Sequence, residues 1–156
     1  MVLVAPVNPW SSTRRWLIPL LGSRAGAALF RRGAPHLSFT HSYWLRRLYG
    51  DPRRLSPQTL AGYSVPLALP QGYERALSVL RTWRADLHLL ERSLARVRVP
   101  TMLVWGTLDR AVLPRSAVTL RDALPDAQLT WIEGAGHLPY EECPQEFNRI
   151  VDEFLA

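Results

Sequence analysis

Thr101-Met102-Leu103-Val104-Trp105 is an unbroken run with no polar alternation beyond its first residue, and Gly106 stops it. A strand with one face in water alternates apolar and polar residues, whereas a continuous run belongs to a strand covered on both faces, as in a parallel sheet flanked by helices. Val2-Leu3-Val4-Ala5, ended by Pro6, has the same character, and Gln128 to Ile132 reads as a third strand. Parallel neighbours need crossover connections, and helical patterns fill the intervals. Pro114 to Leu124 lies between the second and third strands; Pro144 opens a last helix with an apolar face of Phe147, Ile150, Val151, Phe154 and Leu155. Strand, long helical stretch, strand, helix, strand, helix predicts an α/β fold with a parallel sheet.

The stretch 10–95 carries no convincing strand. Ser11-Ser12-Thr13 offers caps for a helix from Arg14 to Arg32 that Pro19 and Gly22 should break. Phe39, Tyr43, Trp44 and Leu48 recur at helical spacing, and Gly50-Asp51-Pro52 ends that run. Ser56-Pro57 starts another helix, expected to stop before Pro66 and Pro70. Gly72 opens a helix over Tyr73–Arg84, and a short one follows from Asp86 to Ala95. Neither internal repeats nor low-complexity segments interrupt the pattern.

Composition narrows the function classes. The 156 residues are 47% apolar and 21% charged, which is globular rather than disordered. All 19 basic residues are Arg. Residues 1–99 hold 15 Arg against 4 acids, a balance of +11, and residues 100–156 hold 4 Arg against 9 acids, a balance of −5. A basic region can attract nucleic acid or anionic lipid, but no nucleic-acid-binding signature accompanies it, and a solvated Arg-rich helical surface accounts for it. No nucleic acid or membrane partner is expected. The single cysteine, Cys143, excludes an internal disulfide and has no basic sequence neighbour or evident helix N-terminus to activate it. His36, His41, His88 and His137 do not pair with it at zinc-ligand spacing, so no metal or cofactor is expected. No apolar run approaches membrane-spanning length and residues 2–5 lack a basic leader, so the expected location is the cytoplasm.

Functional groups in parallel sheets gather past the carboxyl ends of the strands. Asp109 lies four residues beyond Trp105 in the first such loop, and His137 lies five beyond Ile132 in the next, inside Gly134-Ala135-Gly136-His137. The unit between them sets the two loops side by side. A lone Asp after a Gly is ordinarily a turn residue, and a lone His in a Gly turn a surface one. Together, in this order, they form an acid and a base as a Ser/Asp/His hydrolase places them after its nucleophile.

Residues 99–156 resemble the C-terminal part of the α/β-hydrolase family with a helical cap. Val99-Pro100-Thr101 leading to Trp105-Gly106 and Asp109, then Gly134-Ala135-Gly136-His137, then Phe147-Asn148-Arg149 to Phe154-Leu155 follow the family's order. Residues 1–9 resemble the strand and loop after the nucleophile's helix. The resemblance implies an incomplete α/β-hydrolase fold: the last three parallel strands with flanking helices. It divides the chain into a core of 1–9 and 86–156 and a helical cap insertion of 10–85. It also implies Asp109 as the triad acid and His137 as the triad base. Asp109-Arg110 and Phe147-Asn148-Arg149 look similar to carbon–carbon bond hydrolases.

The nucleophile elbow G-x-S-x-G is not in this sequence. Gly62-Tyr63-Ser64-Val65-Pro66 has half the pattern without a preceding strand, and Gly22-Ser23-Arg24-Ala25-Gly26 has its serine misplaced. Oxyanion donors, which contribute about 3 kcal/mol each, also have no counterpart. The chain therefore reads as the second half of an enzyme that hydrolyses an ester, amide or related bond of an apolar small molecule, inactive by itself. Epoxide hydrolases and haloalkane dehalogenases share the scaffold with Asp at the elbow, so the nucleophile's identity stays open. Trp10, Trp16, Phe30, Trp44 and Trp83 suit an apolar pocket. The alternative is a non-catalytic half that binds a separately encoded N-terminal half or another partner through the open apolar edge of the first strand.

Overall fold

β2 (Thr101–Gly106) is buried at every residue, as its unbroken run requires. The computed structural model describes residues 1–11, 17–33, 38–68 and 72–156. Ser12, Thr13, Trp16, His36 and Pro70 lie outside those residues. β1 (Val2–Val4) and β3 (Ala127–Ile132) flank β2, and both pair with it in parallel. The register sets Val4 opposite Val104 and Gly106 opposite Ile132, so all three strands end on one edge of the sheet.

The two faces of β2 enter different cores. Leu103 and Trp105 pack with Val112 and with Ala117 and Leu120 of α6 (Arg115–Ala123). Met102 and Val104 pack with Ile132 and with Phe147, Ile150 and Phe154 of α8 (Pro144–Leu155). One helix therefore covers each face, which is why β2 reads as continuous and not as alternating. The observed fold is α/β, with a three-stranded parallel sheet among the described residues.

Between β1 and β2 the described chain is helical. α1 (Leu17–Gly22) and α2 (Arg24–Gly33) are separated at Ser23, near the break expected from Pro19 and Gly22. Ser23 Oγ accepts the Gly26 N–H at 3.0 Å and caps α2. α3 (Ser38–Leu48) runs to a turn at Gly50, and a short 3-10 turn covers Pro52–Arg54. α4 (Pro57–Ala68) starts at the expected cap, where Ser56 Oγ accepts the Thr59 N–H at 3.0 Å.

Two expectations need correction. α4 does not stop before Pro66 but continues to Ala68. A proline there forfeits the backbone bond to the Gly62 carbonyl and crowds it, so local propensity is overridden rather than obeyed. The two helices expected over 73–84 and 86–95 are a single α5 (Gly72–Leu94), since Ala85 and Asp86 carry no breaker. The boundary placed between residues 85 and 86 falls inside this helix. A further four-residue helix, α7 (Pro139–Glu142), was not expected at all. α5 buries Leu77 and crosses α1 closely: a Cβ at Gly22 would stand 3.5 Å from the Leu80 carbonyl oxygen. No described helix is long and apolar enough to cross a membrane.

Candidate active site

The loops leaving β2 and β3 are tied together before any side-chain chemistry enters. The Thr107 N–H donates to the Ile132 carbonyl at 3.2 Å, and the Leu108 N–H to the Ala135 carbonyl at 2.9 Å. The Gly134 N–H donates to Thr107 Oγ1 at 3.0 Å. Gly134 takes φ +71°, the left-handed conformation that glycine adopts without steric cost. Gly136 meets a different need, clearance. A Cβ there would collide with the Leu48 carbonyl and the Gly50 nitrogen, and one at Gly106 with the carbonyls of Ala135 and Gly136.

Asp109 is 3% exposed and uses its two oxygens differently. Oδ1 accepts the N–H groups of Ala111 and Val112 at 2.8 and 2.9 Å. Oδ2 meets His137 Nδ1 at 2.9 Å. The loop is also anchored from below, because the buried Trp105 donates its indole N–H to the Val112 carbonyl at 2.9 Å. A carboxylate only accepts, so Nδ1 carries the imidazole proton and Nε2 presents its lone pair. The His137 side chain is 24% exposed, while that of Asp109 is fully buried. Among the described residues no hydrogen bond to Nε2 is formed. The two residues singled out in the sequence are thus brought into direct contact, with the imidazole oriented and its second nitrogen free.

Several neighbours of His137 that were not among the expected site residues hold its loop in place. The His137 N–H donates to the Leu48 carbonyl at 2.6 Å, seating the histidine loop on the end of α3. Glu142 is 7% exposed, and its Oε1 accepts the Gly136 N–H at 2.6 Å. Its Oε2 accepts from Gly50 N–H at 2.8 Å and from Asp51 N–H at 3.4 Å. Glu141 accepts the hydroxyls of Tyr49 and Tyr63, one on each carboxylate oxygen. Burial, and then the hydrogen bond to Glu141, push both phenols well above their ordinary value of 10.0. The tandem acids between Pro139 and Pro144 were the available signal: adjacent carboxylates in a short prolyl turn need donors from elsewhere.

Cys143 also differs from expectation. Arg54 Nη1 lies 3.0 Å from its Sγ, and the residue precedes the first turn of α8. The Arg54 contact is tertiary, since Arg54 is 89 positions away in the chain, whereas the helix start is local and follows from Pro144 as the next residue.

Of the substitute nucleophiles, Ser23 Oγ donates to the Leu20 carbonyl at 2.7 Å while capping α2, and Ser64 lies within α4. Of the aromatic residues expected to line one pocket, Trp10, Trp44 and Trp83 have different surroundings. Trp10 packs against the Leu103–Trp105 core, and Trp44 is 56% exposed, edge-on to Tyr43. Trp83 borders a cavity of about 170 Å³ with Ile18, Leu87 and His88, which includes neither Asp109 nor His137. No group of three or more His, Cys, Asp or Glu side chains comes together as a metal site among the described residues.

Comparison with known proteins gives the geometry a context. The chain is 36% identical over 62 residues to 2-hydroxy-6-oxononadienedioate/2-hydroxy-6-oxononatrienedioate hydrolase 2 of Pseudomonas putida, covering 40% of this chain and 22% of that protein. It is 24% identical over 101 residues to the monoacylglycerol lipase ABHD6 of Homo sapiens, covering 64% and 30%. Its fold matches the crystal structure of Cfl2 from Burkholderia cenocepacia with a TM-score of 0.74 at 19% identity. That match takes in 97% of this chain and 51% of the other, so the chain spans about half the length of its structural neighbour. A sequence model described as "Alpha/beta hydrolase family" matches residues 1–150. The chain belongs to the α/β-hydrolase family.

Proposed function

We propose that Asp109 and His137 are the acid and base of a Ser–His–Asp hydrolase that cleaves an ester, amide or related bond of an apolar small molecule. One observation carries the reading: the 2.9 Å contact between Asp109 Oδ2 and His137 Nδ1, with Oδ1 held by two backbone N–H groups. In this mechanism Nε2 takes the proton of a serine hydroxyl as the oxygen attacks the scissile carbonyl. Asp109 keeps the ring in the Nδ1–H tautomer and stabilises the imidazolium. Nε2 then returns the proton to the leaving group, and water repeats the sequence on the acyl-enzyme. The hydrolase names of the relatives support the reaction class, and the monoacylglycerol lipase among them supports an apolar substrate. In this reading residues 10–85 act as a cap over a core of 1–9 and 86–156.

The hydroxyl comes from a nucleophile elbow that the described residues do not supply. The 156-residue chain alone is therefore inactive, because a base without a hydroxyl to deprotonate forms no acyl-enzyme. A second reading makes this chain a non-catalytic half that pairs with a separate N-terminal half. It is favoured by β1, which among the described residues has a strand on one side only. A serine-directed fluorophosphonate tests the first reading. The chain alone should take up no label, and stoichiometric labelling of Ser64 or any other serine here would contradict it. Binding and restored turnover of a chromogenic ester on mixing with an N-terminal half support the second, and absence of binding to every such half refutes it.

A further inference from the structure

We propose that Glu142 is the positioning residue that sets the orientation of His137, an inference that rests on the acid–base reading of the Asp109–His137 pair. The histidine loop meets the end of α3 backbone to backbone. Gly136 leaves no room for a Cβ between itself and residues 48–50, so the two backbones meet directly there, beside the cluster in which Leu138 packs with Tyr49 and Leu48. Two polar links act on the backbone at Gly136 and His137 themselves. One is the 2.6 Å bond from the His137 N–H to the Leu48 carbonyl. The other is the Glu142 carboxylate, whose oxygens take the Gly136 N–H on one side and the Gly50 and Asp51 N–H groups on the other.

Glu142 is buried, and the hydrogen bonds to its carboxylate come from backbone N–H groups, which define its position; Arg54 Nη1 reaches its backbone carbonyl instead, at 3.2 Å. Through the Gly136 N–H it holds the Ala135–Gly136 peptide plane, and the next plane, which leads into His137, is held on the Leu48 carbonyl. Once the first plane can rotate about Gly136, the second loses its support and the imidazole its line from Nδ1 to Asp109 Oδ2. Neither obvious replacement reproduces the bridge. Gln turns an NH2 group toward either Gly136 or Gly50, donor against donor, and Asp is one methylene short of spanning them.

Histidine ¹⁵N NMR on the full chain tests this without requiring turnover, with His137 assigned from the resonance lost in H137Q. The native chain should show the Nδ1–H tautomer and a low-field Nδ1 proton protected from exchange. E142Q and E142A should exchange that proton about tenfold faster, the loss expected from one hydrogen bond, and mix the two tautomers. The amides of Leu103 and Val104 in β2 should keep their protection. An unchanged His137 in both variants overturns the proposal. So does parallel loss of protection at Leu103 and Val104 in both, which would make Glu142 a general clamp of the fold. D109N separates the underlying reading: if the native chain lacks the Nδ1–H tautomer, or D109N leaves it intact, the acid–base pairing itself fails whatever Glu142 does.

Discussion

Replacing Asp109 by Ala and by Asn separates the work of its two oxygens. Ala removes the acceptor for three donors at once: the N–H groups of Ala111 and Val112 and Nδ1 of His137. The Val112 N–H is buried and the other two sites are partly so. An unpaired buried donor costs about 1–3 kcal/mol, and relief by water at the more open sites holds the total near 3 kcal/mol. Asn keeps Oδ1 for both backbone groups and loses only the charge-assisted bond to the ring. It turns an NH2 group toward His137, which must switch to the Nε2–H tautomer, at a cost of about 1 kcal/mol. Urea unfolding followed by tryptophan fluorescence suits the comparison, because Trp105 donates to the Val112 carbonyl in the same loop. With a slope of roughly 1–3 kcal/mol per molar urea, the two midpoints should differ by about 1 M. Coincident midpoints would refute the division of roles, as would a D109N variant less stable than D109A.

Three further outcomes follow from the same contacts. In the unfolded chain Tyr49 and Tyr63 ionise near 10.0, while burial and Glu141 keep them protonated in the folded one. Their stabilising contribution is therefore complete below pH 10.0 and is lost as pH rises above it; the urea midpoint should fall between pH 9 and 11, a range of about two units around the tyrosine reference, and fall less steeply in a Y49F/Y63F double variant. Trp105→Phe loses the bond to Val112 and leaves unfilled volume in the core, so it should cost about 2–4 kcal/mol in the same unfolding assay. Gly136→Ala forces a Cβ against the Leu48 carbonyl and the Gly50 nitrogen, which belong to backbone and cannot swing aside; it should cost about 3 kcal/mol or more and broaden the His137 resonances, whereas Gly62→Ala, with nothing within 4 Å of the added atom, should not destabilise the chain.

The sheet was legible in the sequence because burial writes itself into composition. β2 lies between α6 and α8, so each of its residues must tolerate a dry environment, and no polar residue after Thr101 interrupts the run. The positions of Asp109 and His137 were legible for a related reason: both stand a fixed few residues past an apolar strand end, where parallel register brings their loops together. What escaped depends on contacts between distant segments. The N–H groups that hold Glu142 come from Gly50 and Asp51, more than 90 positions earlier, and no local pattern announces them. Arg54 beside Cys143 is of the same kind. α5 runs through the division expected near residue 85 because nothing between Arg84 and Asp86 stops a helix. α4 runs past Pro66 against the local preference of proline, which the sequence around it does not announce.

The most direct test of the central claim is fluorophosphonate labelling with and without a nucleophile-bearing N-terminal half. The chain alone should remain unlabelled. Mixed with an N-terminal half that carries the nucleophile elbow, the assembly should label on a serine of that half. H137A in the present chain should slow this labelling by a factor on the order of 10³ or more. Label that appears on the chain alone, or that reaches the assembly at an undiminished rate in H137A, would contradict the assignment of His137 as the base.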